Sequence, residues 1–245
     1  MPAIKCILFD CDNTLVLSEP LAFASCADLL NEILEKHGRS ERFTGPELMS
    51  TFVGQNFRGM MTSLQEKYDF TMTDTELDTY VSRELDHTVE KLEAAAEPCA
   101  GAIEELERLQ ATGKYKLAVV SSSALSRVQA SLKKVGMERF FAPENVYSAA
   151  SSLPTPTSKP NPAIYLHACK ELGYAPGECV AIEDSKSGAT AAKNAHIPLV
   201  GYVGPYEEEE ERVKMRKVLS EACEAFAILE HWKDFEQVLK KLESA

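Results

Sequence analysis

Residues 4 to 15 of the chain read Ile4-Lys5-Cys6-Ile7-Leu8-Phe9-Asp10-Cys11-Asp12-Asn13-Thr14-Leu15, and this stretch decides the fold. A short apolar run ends abruptly in two carboxylates. Bounded apolar runs of this length are typical of strands buried in a parallel sheet, where ligands gather at the carboxyl ends of the strands. In extended backbone the side chains of Asp10 and Asp12 point the same way, and two such close carboxylates favour a bound cation or a proton on one of them.

Further along the chain, short apolar runs alternate with segments of helical periodicity. The predicted strands that follow the first cover residues 115–120, 146–149, 179–182, 197–202 and 225–229. The predicted helices between them cover residues 102–109, 126–135, 162–172 and 187–194. This alternation predicts an α/β fold with a doubly wound, mainly parallel sheet.

A long helical segment interrupts this pattern directly after the first strand. Between residues 18 and 93 the apolar spacing is helical, and helix-start signals occur at Thr44 to Glu47 and at Thr73 to Glu76. We therefore expect an α/β core domain made of residues 1–16 and 95–245, with an inserted all-helical domain at residues 17–94.

Composition bounds the kinds of partner that the protein can have. The 245 residues carry a net charge of −12, which argues against non-specific binding to nucleic acid or anionic membranes. No apolar stretch is long enough to span a bilayer, and the N-terminus lacks the pattern of a signal peptide. Seven cysteines without a Cys-x-x-Cys pair favour reduced, buried thiols. We expect a cytoplasmic protein that is a monomer.

Side chains capable of chemistry recur at the ends of predicted strands. Each alone has an ordinary explanation, such as a turn, a helix N-cap, a strand-end serine or a surface lysine. In chain order they are Asp10 and Asp12 after the first strand, Ser121 and Ser122 after the second, Lys159 in the loop Ser158-Lys159-Pro160-Asn161-Pro162, and Glu183 and Asp184 after the fourth.

This ordered set resembles the four motifs of the haloacid dehalogenase (HAD) superfamily, and the helical insert resembles the cap of its beta-phosphoglucomutase-like subfamily. The resemblance implies that Asp10 is a nucleophile forming an aspartyl-phosphate, and that Asp12 is the general acid and base. It further implies that Ser121 and Lys159 contact the phosphoryl group, with Lys159 also paired to Asp10.

The same resemblance implies a Mg²⁺ site and a set of substrate contacts. The metal ligands would be Asp10, Asp184, the backbone carbonyl of Asp12, and Glu183 either directly or through a neighbour. The candidate substrate contacts are Thr14, Ser122, Arg58 and Asn161. Arg58 lies at the start of a predicted helix of the insert, which would close over the site as a lid.

The function that this resemblance implies is Mg²⁺-dependent hydrolysis of a small phosphorylated metabolite, such as a sugar or polyol phosphate. Two alternatives stay open: a phosphosugar mutase and a phospho-accepting signalling domain. Ala22 stands where the mutase carries a hinge histidine, which weakens the first, and the helical insert argues against the second. Asn13 stands where the family often has glycine, and asparagine tolerates the left-handed backbone.

Overall fold

The computed structural model of the protein describes residues 3–52 and 56–244. The chain divides into two compact units. The first runs to Leu17 and resumes at Glu97, and the second is Ser18–Ala96.

The strands and helices follow one another in an alternating order outside the second unit. Within the described residues the strands are β1 (Cys6–Phe9), β2 (Val16–Leu17), β3 (Glu97–Pro98), β4 (Lys116–Ser121), β5 (Val146–Ser148), β6 (Cys179–Glu183), β7 (Leu199–Tyr202) and β8 (Ala227–Leu229). The α-helices are α1 (Glu19–Lys36), α2 (Gly45–Thr51), α3 (Phe57–Tyr68), α4 (Asp74–Ala95), α5 (Ala102–Thr112), α6 (Leu125–Lys134), α7 (Ala163–Leu172), α8 (Lys186–Asn194), α9 (Glu209–Lys217) and α10 (Phe235–Ser244). A π-helical turn, Val218–Ala222, continues α9.

Six of these strands form one sheet in the order β5-β4-β1-β6-β7-β8. Every neighbouring pair in it is parallel. The predicted doubly wound α/β fold is thereby confirmed. Strand β1 lies between β4 and β6, so the residues that follow or end these three strands share one edge of the sheet.

The first strand is covered by apolar side chains on both faces. Cys6 and Leu8 belong to a buried cluster with residues of α7 and α8. The ring of Phe9 lies 5.9 Å from that of Trp232 and 6.0 Å from that of Phe141, measured between centroids. Burial on both faces is the reason why the strand reads as a continuous apolar run and not as an alternating one.

The chain turns sharply just after the first strand. Asn13 has a φ of 55°, in the left-handed region that its side chain tolerates better than most. Its backbone N–H donates to Val16 O, and Val16 N donates to Cys11 O, which closes the turn. This turn holds residues 10–14, the motif loop, at the carboxyl end of β1.

A two-stranded antiparallel pair, β2 with β3, was not predicted. Val16 pairs with Pro98 and Leu17 with Glu97, so the pairing joins segments about 80 residues apart in the chain. Two-residue strands carry too little alternation for a sequence pattern to identify them, because a period of two needs at least four residues.

The described residues of the second unit form helices joined by loops, without a strand among them. Helices α1 to α4 bury a common apolar core that includes Leu30, Leu34, Met61 and Leu64. A capping box begins α2, in which Thr44 Oγ1 accepts from Glu47 N and the Glu47 carboxylate accepts from Thr44 N. Asn56 caps α3 by accepting from Gly59 N, and Thr73 caps α4 by accepting from Glu76 N. Local capping signals therefore set where these helices begin.

None of the described helices combines the length and the apolar character that a bilayer crossing requires.

Candidate active site

Three neighbouring strands end in polar side chains at the same edge of the sheet. Asp10 follows β1, Ser121 is the last residue of β4, and Glu183 is the last residue of β6. All three are buried, with exposed fractions of 6% or less. Because buried polar side chains are costly unless they are paired, their partners reveal how the site is built.

Lys159 is the cation at the centre of this site. Its ammonium donates to Asp10 Oδ1 at 2.6 Å, to Glu183 Oε1 at 2.6 Å and to the carbonyl oxygen of Val120 at 2.7 Å. An ammonium has three N–H donors, so all three are used. Lys159 therefore joins the ends of β1, β4 and β6 through one buried charge.

Burial and charge act in opposite directions on these groups. Burial raises the pKa of Asp10, the Lys159 ammonium opposes that rise, and the nearby Glu183 carboxylate adds to it. Burial alone would lower the pKa of Lys159, but the two carboxylates more than compensate and raise it. Lys159 consequently stays protonated, and the carboxylates share a single neighbouring positive charge.

Asp10, Glu183 and Asp184 form a buried acidic cluster that can hold a metal ion. Each offers one carboxylate oxygen, and these oxygens lie within 4.8 Å of one another. Thr14 Oγ1 donates to Asp184 Oδ1 at 3.2 Å, and the hydroxyl of Tyr206 donates to the carbonyl oxygen of Asp184 at 3.1 Å. Hard oxygen donors suit Mg²⁺, and a divalent cation would offset negative charge that Lys159 alone does not balance.

Glu183 is enclosed on both sides of its carboxylate. Its Oε1 accepts from the hydroxyl of Tyr165 at 2.5 Å as well as from Lys159. Its Oε2 is buried and accepts no hydrogen bond from the described residues. A Cβ atom at Gly188 would lie 1.8 Å from Oε2, so the absence of a side chain at that position leaves the space that the carboxylate fills.

The Asp12 carboxylate is oriented by serines that follow β4. Its Oδ2 accepts from Ser121 Oγ at 3.1 Å and from Ser123 Oγ at 2.8 Å. Ser122 has a different role, because its Oγ accepts from the backbone N–H of Lys159 at 3.1 Å. The three consecutive serines thus divide between the carboxylate of Asp12 and the backbone of the lysine loop.

The other predicted substrate contacts lie in local arrangements of their own. Asn161 Oδ1 accepts from Ala163 N at 2.9 Å, at the first turn of α7. Arg58, in the helical unit, forms an ion pair with Asp78. Substrate contacts by Thr14, Ser122, Arg58 and Asn161 stay predictions.

All seven cysteines are free and buried. Cys11 lies between the two motif aspartates, and burial together with these neighbouring carboxylates raises the pKa of its thiol. A raised pKa disfavours the thiolate, which is the form that reacts with oxidants.

Sequence reasoning missed Tyr165 and Ser123, although both contact proposed catalytic or metal-binding residues. Tyr165 lies on the buried face of the helix that follows the loop of Lys159. In the sequence it looks like an ordinary aromatic residue of the core, and only its hydroxyl group hints at a further role. Ser123 is the third of three consecutive serines, and the predicted strand end favoured the first two as the functional ones.

The sequence of this chain is similar to those of known hydrolases. The sequence model described as haloacid dehalogenase-like hydrolase matches residues 4–196. YhcW of Bacillus subtilis (strain 168) is 30% identical over 200 residues, which cover 80% of this chain and 82% of YhcW. The 6-phosphogluconate phosphatase of Escherichia coli (strain K12) is 26% identical over 199 residues, 80% of each protein.

Solved structures show the same fold at lower identity. The crystal structure of a HAD hydrolase, family IA, variant 3, from Entamoeba histolytica aligns with a TM-score of 0.77 at 20% identity, and it covers 99% of this chain and 100% of that one. Since the family match spans most of the chain and includes the motif loop, Lys159 and the acidic pair, the protein belongs to the haloacid dehalogenase-like hydrolases.

Proposed function

We propose that the protein is a Mg²⁺-dependent phosphatase that hydrolyses a small phosphomonoester through an aspartyl-phosphate on Asp10. One observation carries the proposal. The buried Lys159 ammonium donates to Asp10, at the end of the central strand, and to Glu183, and both carboxylates belong with Asp184 to a cluster able to hold a metal ion. Phosphoryl transfer needs this combination of an oxygen nucleophile and concentrated positive charge.

The chemistry divides between two carboxylates. An oxygen of Asp10 attacks phosphorus, the bond to the ester oxygen breaks, and Asp12 gives its proton to the leaving alkoxide. Asp12 then takes a proton from water, whose oxygen attacks the phosphorus of the aspartyl-phosphate. The bond between phosphorus and Asp10 breaks, and inorganic phosphate leaves with Asp10 regenerated. Asp12 suits this role because two serine hydroxyls orient it beside the nucleophile.

The metal-binding residues under this proposal are Asp10, Glu183 and Asp184, with the backbone carbonyl of Asp12 from the family resemblance. Bound Mg²⁺ would supply positive charge to the phosphoryl oxygens. Lys159 supplies charge from the protein itself, and its ion pair holds the Asp10 carboxylate in one orientation. Thr14 contributes by fixing Asp184 through its hydroxyl.

The proposed substrates are phosphorylated sugars, sugar acids or polyols. The support is that a relative which matches along 80% of this chain is named for 6-phosphogluconate. We also propose that side chains of the helical unit, Ser18–Ala96, determine substrate specificity, and that Arg58 is one of them. Arg58→Ala should raise KM for acidic substrates and leave kcat unchanged, whereas Arg42→Ala, an exposed arginine of the same unit, should change neither value.

Phosphate release from a panel of phosphorylated metabolites tests the function directly. We expect turnover with Mg²⁺ and none with a chelator. Asp10→Asn should reduce turnover to background while the melting temperature shows a folded protein, because the amide lacks the nucleophilic charge. Asp234→Asn, a matched change in the same unit, should leave turnover intact.

The covalent intermediate gives a second readout. Acid-quenched wild-type protein should carry a phosphoryl group on the peptide that contains Asp10, and Asp10→Asn should carry none. Substantial turnover by Asp10→Asn would remove the nucleophile assignment. Conversion of a hexose 1-phosphate to the 6-phosphate without free phosphate would make the protein a mutase. A stable phosphoryl group with no turnover of any ester would make it a signalling domain.

A further inference from the structure

Tyr165 is a buried titratable side chain to which the proposed mechanism gives no role. It lies on α7, six residues after Lys159, and it is fully buried. Its neighbours on the same face of the helix are Ala168 and Cys169, which belong to the same buried apolar cluster. A phenylalanine would satisfy that packing, so the hydroxyl needs a separate explanation.

Two parts of the Tyr165 side chain contact the two members of one ion pair. Its hydroxyl donates to Glu183 Oε1 at 2.5 Å. The Lys159 ammonium lies 5.2 Å from the centre of its ring, within the range of a cation–π contact. One side chain therefore contacts both the cation and the carboxylate, and it does so in a site where hydrogen bonds to charged groups are strong.

The contacts around both of its oxygens fix the position of the Glu183 carboxylate. Oε1 is shared between Lys159 and Tyr165, and Oε2 lies against the backbone of Gly188. Without the tyrosine hydroxyl, Lys159 would be the one described donor to this carboxylate. The position of Lys159 against Asp10 depends on Glu183 in turn, because Glu183 is one of only three acceptors of its ammonium.

We propose that Tyr165 is a positioning residue. Through its hydroxyl and its ring face it holds the Lys159–Glu183 pair where the Lys159 ammonium can donate to Asp10. This proposal rests on the proposed phosphatase function, in which Lys159 offsets charge on the phosphoryl group during transfer. The tyrosine acts through this ion pair, because its hydroxyl donates to Glu183 and its ring faces the Lys159 ammonium. Its loss should weaken the interaction made in the transition state more than substrate binding.

The test compares Tyr165→Phe with Tyr147→Phe. Tyr147 is a matched control, since it is a buried tyrosine of the same apolar cluster and its ring packs on His167 of the same helix. We expect Tyr165→Phe to lower kcat by roughly 10-fold, the size of a lost hydrogen bond to a charged group, with KM within about twofold of wild type. Tyr147→Phe should change neither parameter.

A second measurement does not depend on turnover. Lysine acetylation, followed by mass spectrometry, reports how well each ammonium is protected. Lys159 should react slowly in the wild type and several-fold faster in Tyr165→Phe, while the exposed Lys240 should react at the same rate in both. Tyr165→Leu, which removes the ring as well, should increase the reaction of Lys159 further.

The two measurements separate this proposal from the phosphatase function. If the wild type hydrolyses no phosphomonoester, the proposed function fails, and Lys159 protection alone decides whether Tyr165 is a positioning residue. Wild-type kcat together with wild-type Lys159 protection in Tyr165→Phe would overturn the positioning role. Equal losses of kcat and of melting temperature in Tyr165→Phe and Tyr147→Phe would overturn it too, because both variants would then report core packing.

Discussion

At the scale of single residues, two adjacent carboxylates at the end of β6 have different surroundings. Glu183 is turned toward Lys159 and Tyr165. Asp184, one residue on, is contacted by Thr14 and Tyr206. Both carboxylates offer an oxygen to the same acidic cluster, but the strand ends at Glu183 and the two side chains accept hydrogen bonds from different neighbours. The sequence shows the acidic pair, and the fold decides which donors reach each carboxylate.

Gly188→Ala should show how tightly Glu183 is enclosed. In an ordinary helix interior this change stabilises, because alanine has the higher helix propensity. Here the added methyl group would overlap Glu183 Oε2, so we expect the free energy of unfolding to fall by about 1–3 kcal/mol, as overpacked cores do. We also expect kcat to fall, since the displaced carboxylate holds Lys159. Urea unfolding and phosphate release measure the two effects.

Ser187→Ala is the matched control for that change. Ser187 is exposed in the same first turn of α8, so alanine there should leave both stability and turnover near wild type. A Gly188→Ala variant that is as stable and as active as Ser187→Ala would mean that Glu183 moves aside freely, and that its position is not critical.

At the scale of elements, side-chain caps decide where several helices begin. Ser185 Oγ accepts from Gly188 N at 3.1 Å and starts α8 immediately after the acidic pair. Thr44, Asn56 and Thr73 make corresponding contacts in the helical unit. Each cap satisfies a backbone N–H that has no partner inside its helix. The start of α8 is thereby tied to the end of β6, which is where the acidic cluster lies.

Thr73→Ala should weaken the longest helix of the helical unit. Thr73 Oγ1 accepts from Glu76 N at 3.2 Å, and loss of such an N-cap costs about 1 kcal/mol of stability. Thr75→Ala is the control, because Thr75 is exposed inside the same helix and alanine is the better helix former there. Urea unfolding followed by circular dichroism should show a lower midpoint for Thr73→Ala alone. Equal midpoints for the two variants would show that the cap contributes nothing.

At the scale of the whole molecule, residues near the C-terminus support the motif loop near the N-terminus. The indole of Trp232 is buried against Phe9, Tyr202 and Phe235. Its Nε1 donates to the carbonyl oxygen of Thr14 at 3.3 Å, across 218 positions of sequence. The family match ends at residue 196, so this support comes from a part of the chain beyond it.

Trp232→Phe should affect both stability and turnover. It keeps an aromatic ring in the core but loses volume and the hydrogen bond to the loop, and we expect a loss of about 2 kcal/mol in the free energy of unfolding. Phe235→Leu removes comparable core volume without touching Thr14. If kcat falls in both variants to the same degree, the hydrogen bond to the motif loop has no separate effect on the site.

Metal binding should be visible in the stability of the protein. A ligand that binds only the folded state at a hundredfold excess over its Kd stabilises by about 2.7 kcal/mol. For a chain of this size that corresponds to a rise in Tm of about 5–10 °C. We expect Mg²⁺ to produce such a rise and a chelator to remove it. Asp184→Asn should abolish the rise, and a full Mg²⁺ shift in that variant would exclude Asp184 as a ligand.

The fold class and the family were both predictable from local patterns. A strand that is buried on both faces has consecutive apolar residues, as in residues 4–9 and 179–182. Such runs, alternating with helical segments, predict a parallel α/β sheet. The pair β2 with β3 was not predictable, since each strand has only two residues and the two strands are about 80 residues apart in the chain.

The sequence by itself determined which side chains stand at strand ends, because strand ends are marked locally by the change from apolar to polar residues. Only the tertiary structure decided which oxygen each donor reaches. Lys159 meets Glu183 across 24 positions and Trp232 meets Thr14 across 218, and no local period encodes such a distance. The enclosure of Glu183 by Tyr165 and Gly188 has the same origin, since it arises where α7 and α8 pack on β6.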